Sequence, residues 1–293
     1  MNCSETQMKS EGFTLVELLV ALALLGIVLS ALVTFFSQGS RVSTQSSSRA
    51  ELQQEVLNAQ QLIVGKLKEA WYIYPAGQTL QLGSSSTSTA NLRQNPVTGT
   101  PRGGFANWLT GTDPILAVIL PPKSVGTCPT TAPGGGSGAE FCYRFFAYYP
   151  VKRSTWVSGT GGTTAPTASN PGDEPNNDAV WVLAEYRKTL YGFSSGDTVP
   201  TTTLDGGDAN LLTDYIAPTV VTTGFTTSAN TYTMFDLKSA SGTVTSGANP
   251  VTGVTLNLAT IRNTGGKVLR LPDATGTYSI TIYPTNLGKV AAN

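Results

Sequence analysis

A single carboxylate stands near the start of a long apolar segment, and its chemistry is the clearest in the chain. Glu17 is the only charged residue between Phe13 and Phe36. A carboxylate inside a bilayer costs about 2.5–3.5 kcal/mol on insertion scales, so we expect it to meet a counter-charge. A cut after Gly12 would create one, because the new α-ammonium of Phe13 would lie one helical turn from its own Glu17 and within reach of a neighbouring copy's Glu17.

The apolar segment, residues 13–36, is long enough to cross a membrane, since about 20 apolar residues span a bilayer as a helix. A secretory signal peptide has a basic start, a shorter apolar stretch of about 7–15 residues and a small-residue cleavage site. Here Lys9 stands against Glu5 and Glu11, and no Ala-x-Ala follows the segment. We therefore favour a retained spanning helix over an ordinary signal peptide or a plain uncleaved anchor.

Residues 11–20 resemble the type IV prepilin signature that pilins share with type II secretion pseudopilins. They read Glu-Gly-Phe-Thr-Leu-Val-Glu-Leu-Leu-Val, with Gly before the cut, Phe as first mature residue and Glu fifth. The resemblance implies a leader at residues 1–12, cleavage between Gly12 and Phe13 by prepilin peptidase, N-methylation of Phe13 and a role for Glu17 in assembly. It also implies a single-pass inner-membrane protein with a cytoplasmic N-terminus, which later enters a periplasmic or cell-surface filament.

A helical period returns after the apolar segment and predicts an amphipathic continuation over residues 37–74. The apolar positions are spaced three or four residues apart, as on one face of a helix; they are Leu52, Val56, Ala59, Ile63, Leu67, Ala70 and Tyr74. We expect this stripe to pack against the chain's own head rather than form a separate coiled coil. Residues 37–48 are rich in Ser and include Gly39, so a frayed or bent segment is expected there.

The remainder, residues 75–293, is predicted to be a β-rich exported head, because short apolar or alternating segments recur between Gly, Ser, Thr, Asn and Pro. The expected strands are 115–120, 141–149, 180–187, 220–225, 232–237, 251–261 and 278–283. Residues 81–104, 123–140, 157–178 and 238–250 are predicted to be long loops. The fold class is therefore α+β: a long N-terminal helix on a largely antiparallel, pilin-like head.

The cysteines predict one disulfide. Cys3 would leave with the leader, whereas Cys128 and Cys142 enclose a Gly-rich loop in a domain that we expect to be exported, where a disulfide persists. Two free buried thiols are the alternative. Redox chemistry is disfavoured because the chain has no Cys-x-x-Cys.

The composition argues against catalysis. The chain has no histidine, which removes the commonest general base and transition-metal ligand. No nucleotide-binding or nucleophile motif is found in a strand-to-helix context, so we predict neither an enzyme nor a cofactor. The acidic cluster at residues 173–178 has oxygen ligands of the kind that suit calcium. Its spacing fits no calcium loop, and we favour a solvated turn.

Charge is sparse and balanced, with 18 basic and 18 acidic side chains. No basic footprint for a nucleic acid is evident, and the doublets Lys152-Arg153 and Arg187-Lys188 are interpreted as solvated strand ends. The aromatic segment 141–149 predicts a strand buried on both faces, with an aromatic edge offered to another subunit as the alternative.

A looser resemblance extends beyond the signature. Residues 50–55, 70–73 and 181–187 are similar to the PilW/PulJ-like group of large minor pilins and J-type pseudopilins. This implies a minor pilin of a type IV pilus, with the other pilin subunits and the assembly machinery as partners and with roles in assembly initiation and in twitching, adhesion or DNA uptake. A type II secretion pseudopilin is the first alternative, and a helix-anchored surface adhesin is the second.

Overall fold

The computed structural model describes residues 14–82, 107–133, 138–158, 172, 174–202, 204–217, 232–239, 251–264 and 267–288. It divides into two compact units, Met1–Ser48 and Arg49–Asn293. The described part of the first unit is helical. The second unit, called the head below, contains the C-terminal part of the same helix and all the strands.

Helix α1 runs from Leu15 to Glu69. The frayed segment expected at residues 37–48 is not found, because these residues are helical throughout. Serine lowers helix stability by only a few tenths of a kcal/mol, which its neighbours offset. The hydroxyl of Thr44 also donates to the carbonyl oxygen of Ser40 at 2.9 Å, so it stays within the helix.

The helix ends five residues earlier than predicted, at Glu69 rather than at residue 74. Here the backbone leaves the helix to pair with a strand. Trp71 N donates to Ile119 O at 2.8 Å, and Tyr74 N donates to Ala117 O at 3.0 Å. Sheet pairing therefore replaces the last helical turn, while the side-chain spacing that suggested helix is retained.

The apolar stripe of α1 is confirmed as a core face of the head. The seven predicted residues, five in α1 and two just after its end, are no more than 1% exposed; they are Leu52, Val56, Ala59, Ile63, Leu67, Ala70 and Tyr74. Burying a side chain such as Leu or Ile contributes about 1.5–3 kcal/mol. The stripe therefore accounts for much of what holds this part of the helix against the sheets.

Twelve strands lie among the described residues, and every pairing between them is antiparallel. In chain order they are β1 (Tyr72–Ile73), β2 (Thr79–Gln81), β3 (Asn107–Leu109), β4 (Leu116–Leu120), β5 (Tyr143–Lys152), β6 (Trp181–Leu190), β7 (Asp208–Ile216), β8 (Phe235–Ser239), β9 (Val251–Leu258), β10 (Thr260–Thr264), β11 (Lys267–Leu271) and β12 (Tyr278–Ile282). A short helix, α2 (Arg153–Ser158), follows β5. The predicted α+β class is confirmed.

The strands form three sheets. The largest has the order β1-β4-β5-β6-β7-β10-β11, the second has the order β12-β9-β8, and β2 pairs with β3. The predicted strand at 251–261 is two strands, because Ala259 interrupts it and accepts a hydrogen bond from Ala217 N at 2.8 Å. The predicted strand at 220–225 lies outside the described residues.

Two cores lie on opposite faces of the seven-stranded sheet. One contains the middle of the stripe, from Val56 to Ala70, and the second sheet, and the other contains Tyr74 and lies on the side of β2 and β3. Leu52 belongs to a third, smaller cluster. Strand β5 contributes to both, with Phe146 and Tyr148 in the first core and Phe145 and Tyr149 in the second. The aromatic segment is thus an interior strand between β4 and β6, as the favoured interpretation predicted.

Candidate functional site

The start of α1 carries the assembly residue predicted from the sequence. Gly12 and Phe13 lie outside the described residues. Thr14 precedes the helix, and its backbone N and its Oγ1 donate to Glu17 Oε2 at 3.0 and 2.9 Å. Glu17 N in turn donates to Thr14 Oγ1 at 3.3 Å. This is a capping box, in which the first turn satisfies two backbone donors reciprocally.

The capping box gives Glu17 a local role that the sequence analysis did not consider. Thr14 is the N-cap, whose replacement typically costs about 0.5–2 kcal/mol of helix stability, and Glu17 supplies the acceptor that bonds back to Thr14 N. A glutamine retains the acceptor oxygen needed for the cap but carries no charge. The cap and the charge of Glu17 can therefore be separated by substitution.

The apolar side chains that follow Glu17 are exposed on every side of the helix. Leu15, Leu25 and Phe36 are 76%, 54% and 69% exposed. A helix that is hydrophobic all round belongs in a large core or in a membrane, and α1 is the one helix in the described chain that is long and apolar enough to span a bilayer. Glu17 is thus held at the start of a helix that needs apolar surroundings.

In the head, Cys128 and Cys142 are joined by a disulfide, the pair that the sequence analysis singled out. Cys142 is fully buried next to β5. A disulfide that closes a loop of about 15 residues stabilises a fold by roughly 3 kcal/mol in the chain-entropy account. This bond therefore ties Cys128 to the start of the aromatic strand β5.

We expect mass mapping of the unreduced protein to recover Cys128 and Cys142 linked to each other. No Lys or Arg lies between Lys123 and Arg144, so trypsin leaves both cysteines in one peptide, and cleavage after Glu140 then divides it. The two fragments should stay joined until a reductant is added. Alkylation of both thiols in the native, unreduced protein would contradict this prediction.

The acidic turn before β6 is more ordered than the solvated turn that we predicted. Asn176 is fully buried, donates to Asn263 O at 3.0 Å and accepts from Asn263 N at 2.7 Å. Asn177 Oδ1 accepts a hydrogen bond from the guanidinium of Arg153. Protein donors therefore occupy two of the oxygens considered for calcium. The described residues contain no cluster of three metal-binding side chains, and Asp173 lies outside them.

The doublet Lys152-Arg153 was predicted to be a solvated strand end, and this prediction was wrong for Arg153. Lys152 pairs at 3.5 Å with Asp178, which is 88% exposed. Arg153 is fully buried, and its Nε lies 3.0 Å from both carboxylate oxygens of Asp214. The carbonyl oxygen of Gly172 also accepts from this guanidinium. A buried arginine needs such a complete set of acceptors.

Two helix carboxylates extend this buried network. Glu55 Oε1 accepts from Asp214 N at 2.8 Å, and Glu51 Oε2 lies 3.2 Å from Arg262 Nη1. The guanidinium of Arg262 stacks 4.6 Å from the ring centre of Tyr215, whose backbone φ of 53° is left-handed. Polar contacts therefore attach α1 to β7 and β10 beside the apolar stripe.

Comparison with known proteins gives two matches that bear on the N-terminal helix. Residues 7–33 match the family described as the prokaryotic N-terminal methylation motif. The chain is also similar to the pilin-like protein PilA3 of Thermus thermophilus, with 41% identity over 59 residues. That match covers 20% of this chain and 25% of the relative, so the chain spans about a quarter of its length. No solved structure matches significantly.

Proposed function

We infer that this chain, a type IV prepilin-like protein with a membrane-anchoring N-terminal helix, is a minor pilin of a type IV pilus. Prepilin peptidase would cleave it after Gly12 and methylate Phe13, and the subunit would then move from the inner membrane into a filament with other pilins. Its role is structural, in filament assembly and initiation, with no catalysis and no cofactor. The observation that carries the proposal is Glu17 at the start of an exposed apolar helix within the methylation motif.

The charge of Glu17 provides a physical reason for the helix to enter a filament at a fixed axial position. In the membrane, a neighbour's Phe13 ammonium would neutralise the carboxylate through a charge-assisted hydrogen bond, which is shorter and stronger than a neutral one. Only one axial offset between adjacent helices brings the two groups together. The pair would therefore set the register of the filament as well as attract the subunit.

The architecture of the head supports the assignment as a minor, low-copy subunit. When filament helices pack side by side, every head must fit beside its neighbours. A head with three sheets and several long connections fits more easily at occasional positions than at every step. Twitching, adhesion and DNA uptake are the uses that the resemblance implies.

The test is to measure incorporation of Glu17 variants into filaments. Glu17→Leu removes the charge and the acceptor for Thr14 N, whereas Glu17→Gln keeps that acceptor and removes only the charge. We expect both variants to be cleaved and membrane-inserted but to enter sheared filaments about tenfold less or worse, since a charge-assisted hydrogen bond contributes about 1.5–3 kcal/mol. Quantitative mass spectrometry of the filaments, with filament counts per cell, gives the result.

Thr14→Val is the matched control, because it removes the capping hydroxyl and keeps the carboxylate; it should enter filaments nearly normally. Normal incorporation of Glu17→Gln, at matched expression and with Phe13 at the N-terminus, would show that the charge is not needed. Recovery of the subunit with secretion pseudopilins instead of pili would favour the type II alternative. An uncut N-terminus would favour the anchored adhesin.

A further inference from the structure

The head contains a polar cleft of about 660 Å³ that the pilin function does not use. It lies where β5 and β7 begin and β6 ends, with Lys66 of α1 on one side. Five basic side chains line it: Lys66, Lys123, Arg144, Arg187 and Lys188. Three acidic side chains also line it: Glu185, Asp205 and Asp208. More than a quarter of the chain's 18 basic residues thus converge on one site.

Lys188 Nζ lies 4.0 Å from Asp205 Oδ1, whereas three other cations of the cleft contact neutral groups. Arg144 Nη2 donates to Pro121 O at 3.2 Å, while its Nε is buried without a hydrogen-bond partner among the described residues. Lys66 Nζ lies 4.9 Å from the centre of the Phe146 ring. Burial lowers the pKa of the Arg144 guanidinium, because desolvation disfavours the charged form. The charge of Glu69 offsets this shift only in part, and an incoming anion would stabilise the charged guanidinium further.

Arg187 is the second guanidinium in the cleft. Its Nε and Nη2 each lie 3.1 Å from the side-chain amide of Asn210. In the sheet register, Arg187 stands between Phe146 of β5 and Asp208 of β7. Cross-strand neighbours have Cβ atoms about 4.5–5.5 Å apart. The cleft floor therefore presents a guanidinium and a carboxylate within about one strand spacing.

The loop at one side of the cleft is preformed. The Tyr186 hydroxyl donates to Leu204 O and accepts from Gly207 N at 2.7 Å. Burial raises the pKa of Tyr186 to about 12, so the donor stays protonated. A Cβ on Gly207 would lie 2.5 Å from the carbonyl oxygen of Arg187, so only glycine allows this close approach. Asp205 and Asp208 are thereby placed beside the basic side chains.

Because basic and acidic side chains both line the cleft, it should favour some kinds of anionic ligand over others. A nucleic-acid backbone presents anions in close succession and would meet the three carboxylates as well as the cations. A ligand with one carboxylate beside several hydroxyl groups suits both sets, because guanidinium groups bind carboxylates and aspartate or glutamate accepts from hydroxyls. Ligand pockets commonly measure about 300–1,000 Å³, so the cleft has room for a small saccharide.

We propose that this cleft binds an acidic saccharide of one or two rings, with the uronate carboxylate at Arg144 and Arg187 and ring hydroxyls donating to Glu185 and Asp208. Lys66 and Lys123 add positive potential at the rim. The proposal stands on the head alone and does not depend on entry of the subunit into a filament.

Calorimetric titration of the full-length protein in detergent with digalacturonate tests the proposal. We expect saturable binding that weakens as salt is added. Arg187→Gln should weaken it by about tenfold, because it removes a hydrogen bond to the charged carboxylate. Lys66→Gln removes only positive potential at the rim and should weaken it by about threefold. Lys267→Gln, at the start of β11 and outside the cleft lining, is the matched control and should change affinity by less than about twofold.

Three comparison ligands make the result specific: the uncharged disaccharide of the same sugar, inorganic phosphate and hexaglutamate. Much weaker binding of all three is expected. Absence of digalacturonate binding by the wild-type protein would overturn the proposal, and so would equal binding of phosphate or of the acidic peptide. Unchanged affinity in both cleft variants, with tryptophan fluorescence showing a folded head, would also overturn it. If Arg187→Gln does not fold, Lys123→Gln at the exposed rim replaces it.

Discussion

Replacing Arg153 with methionine is expected to destabilise the head by about 3–5 kcal/mol. The substitution removes the guanidinium that pairs with the buried Asp214 carboxylate, and breaking a buried ion pair from one side is far more costly than losing a surface pair. Asp214 is 4% exposed and also accepts a local hydrogen bond from Tyr215 N, at 2.8 Å. The carbonyl of Gly172 and the amide of Asn177 would lose their donor as well.

Urea unfolding followed by tryptophan fluorescence measures this loss, because all four tryptophans of the chain lie in the head. Lys152→Met is the matched control: it removes the adjacent positive charge, whose partner Asp178 is largely solvent-exposed, and should change stability by less than about 1 kcal/mol. The double variant Arg153→Met/Asp214→Met should recover part of the loss, since no charge is left buried alone. Equal stability of the Arg153 and Lys152 variants would show that the buried pair contributes little.

Arg153 also shows where sequence reasoning stops. The chain presents it as one of two adjacent basic residues, and the usual location of such a doublet is the surface. Its acceptors come from Gly172, Asn177 and Asp214, which are 19–61 residues away in sequence. No local pattern marks those residues as partners, so their convergence could be known only from the fold.

The features predicted correctly are those specified by short-range spacing. The stripe of α1 repeats every three or four residues, which is enough to identify a buried helix face. The aromatic segment of β5 has large side chains at successive positions, and this requires burial on both faces. Strand β7, Asp208–Ile216, was missed because acidic residues interrupt its apolar positions and mask the strand alternation.

The candidate sites also differ in how far the sequence could predict them. Glu17 and Thr14 lie within one helical turn, so the sequence could place the carboxylate, although it did not reveal the capping box. The polar cleft brings together Lys66, Arg144 and Arg187 from α1, β5 and β6. The doublet Arg187-Lys188 appeared as a strand end, which is its local structure. Only the pairing of β5, β6 and β7 shows that other charges converge on it.

A second large effect is expected at the processing site. Gly12→Val should abolish cleavage, because a protease must approach the backbone closely at the cut, and glycine alone leaves that space free of a Cβ. Valine also branches at Cβ, which restricts the backbone conformations that the peptidase can select. The uncut chain would retain its leader, and Phe13 would have no α-ammonium to offer a neighbouring Glu17. Loss of cleavage should therefore exclude the subunit from filaments.

Intact-mass analysis of the membrane-extracted subunit distinguishes the cut chain, beginning at Phe13, from the uncut one. Gly26→Val is the matched control, since it makes the same change within α1, where nothing lies within 4 Å of the added Cβ. That variant should be processed normally. A normal Phe13 N-terminus in Gly12→Val would show that cleavage at this bond does not require glycine and would contradict the prediction. Loss of cleavage in both variants would show that valine prevents processing through a change in the helix and not at the cleavage site.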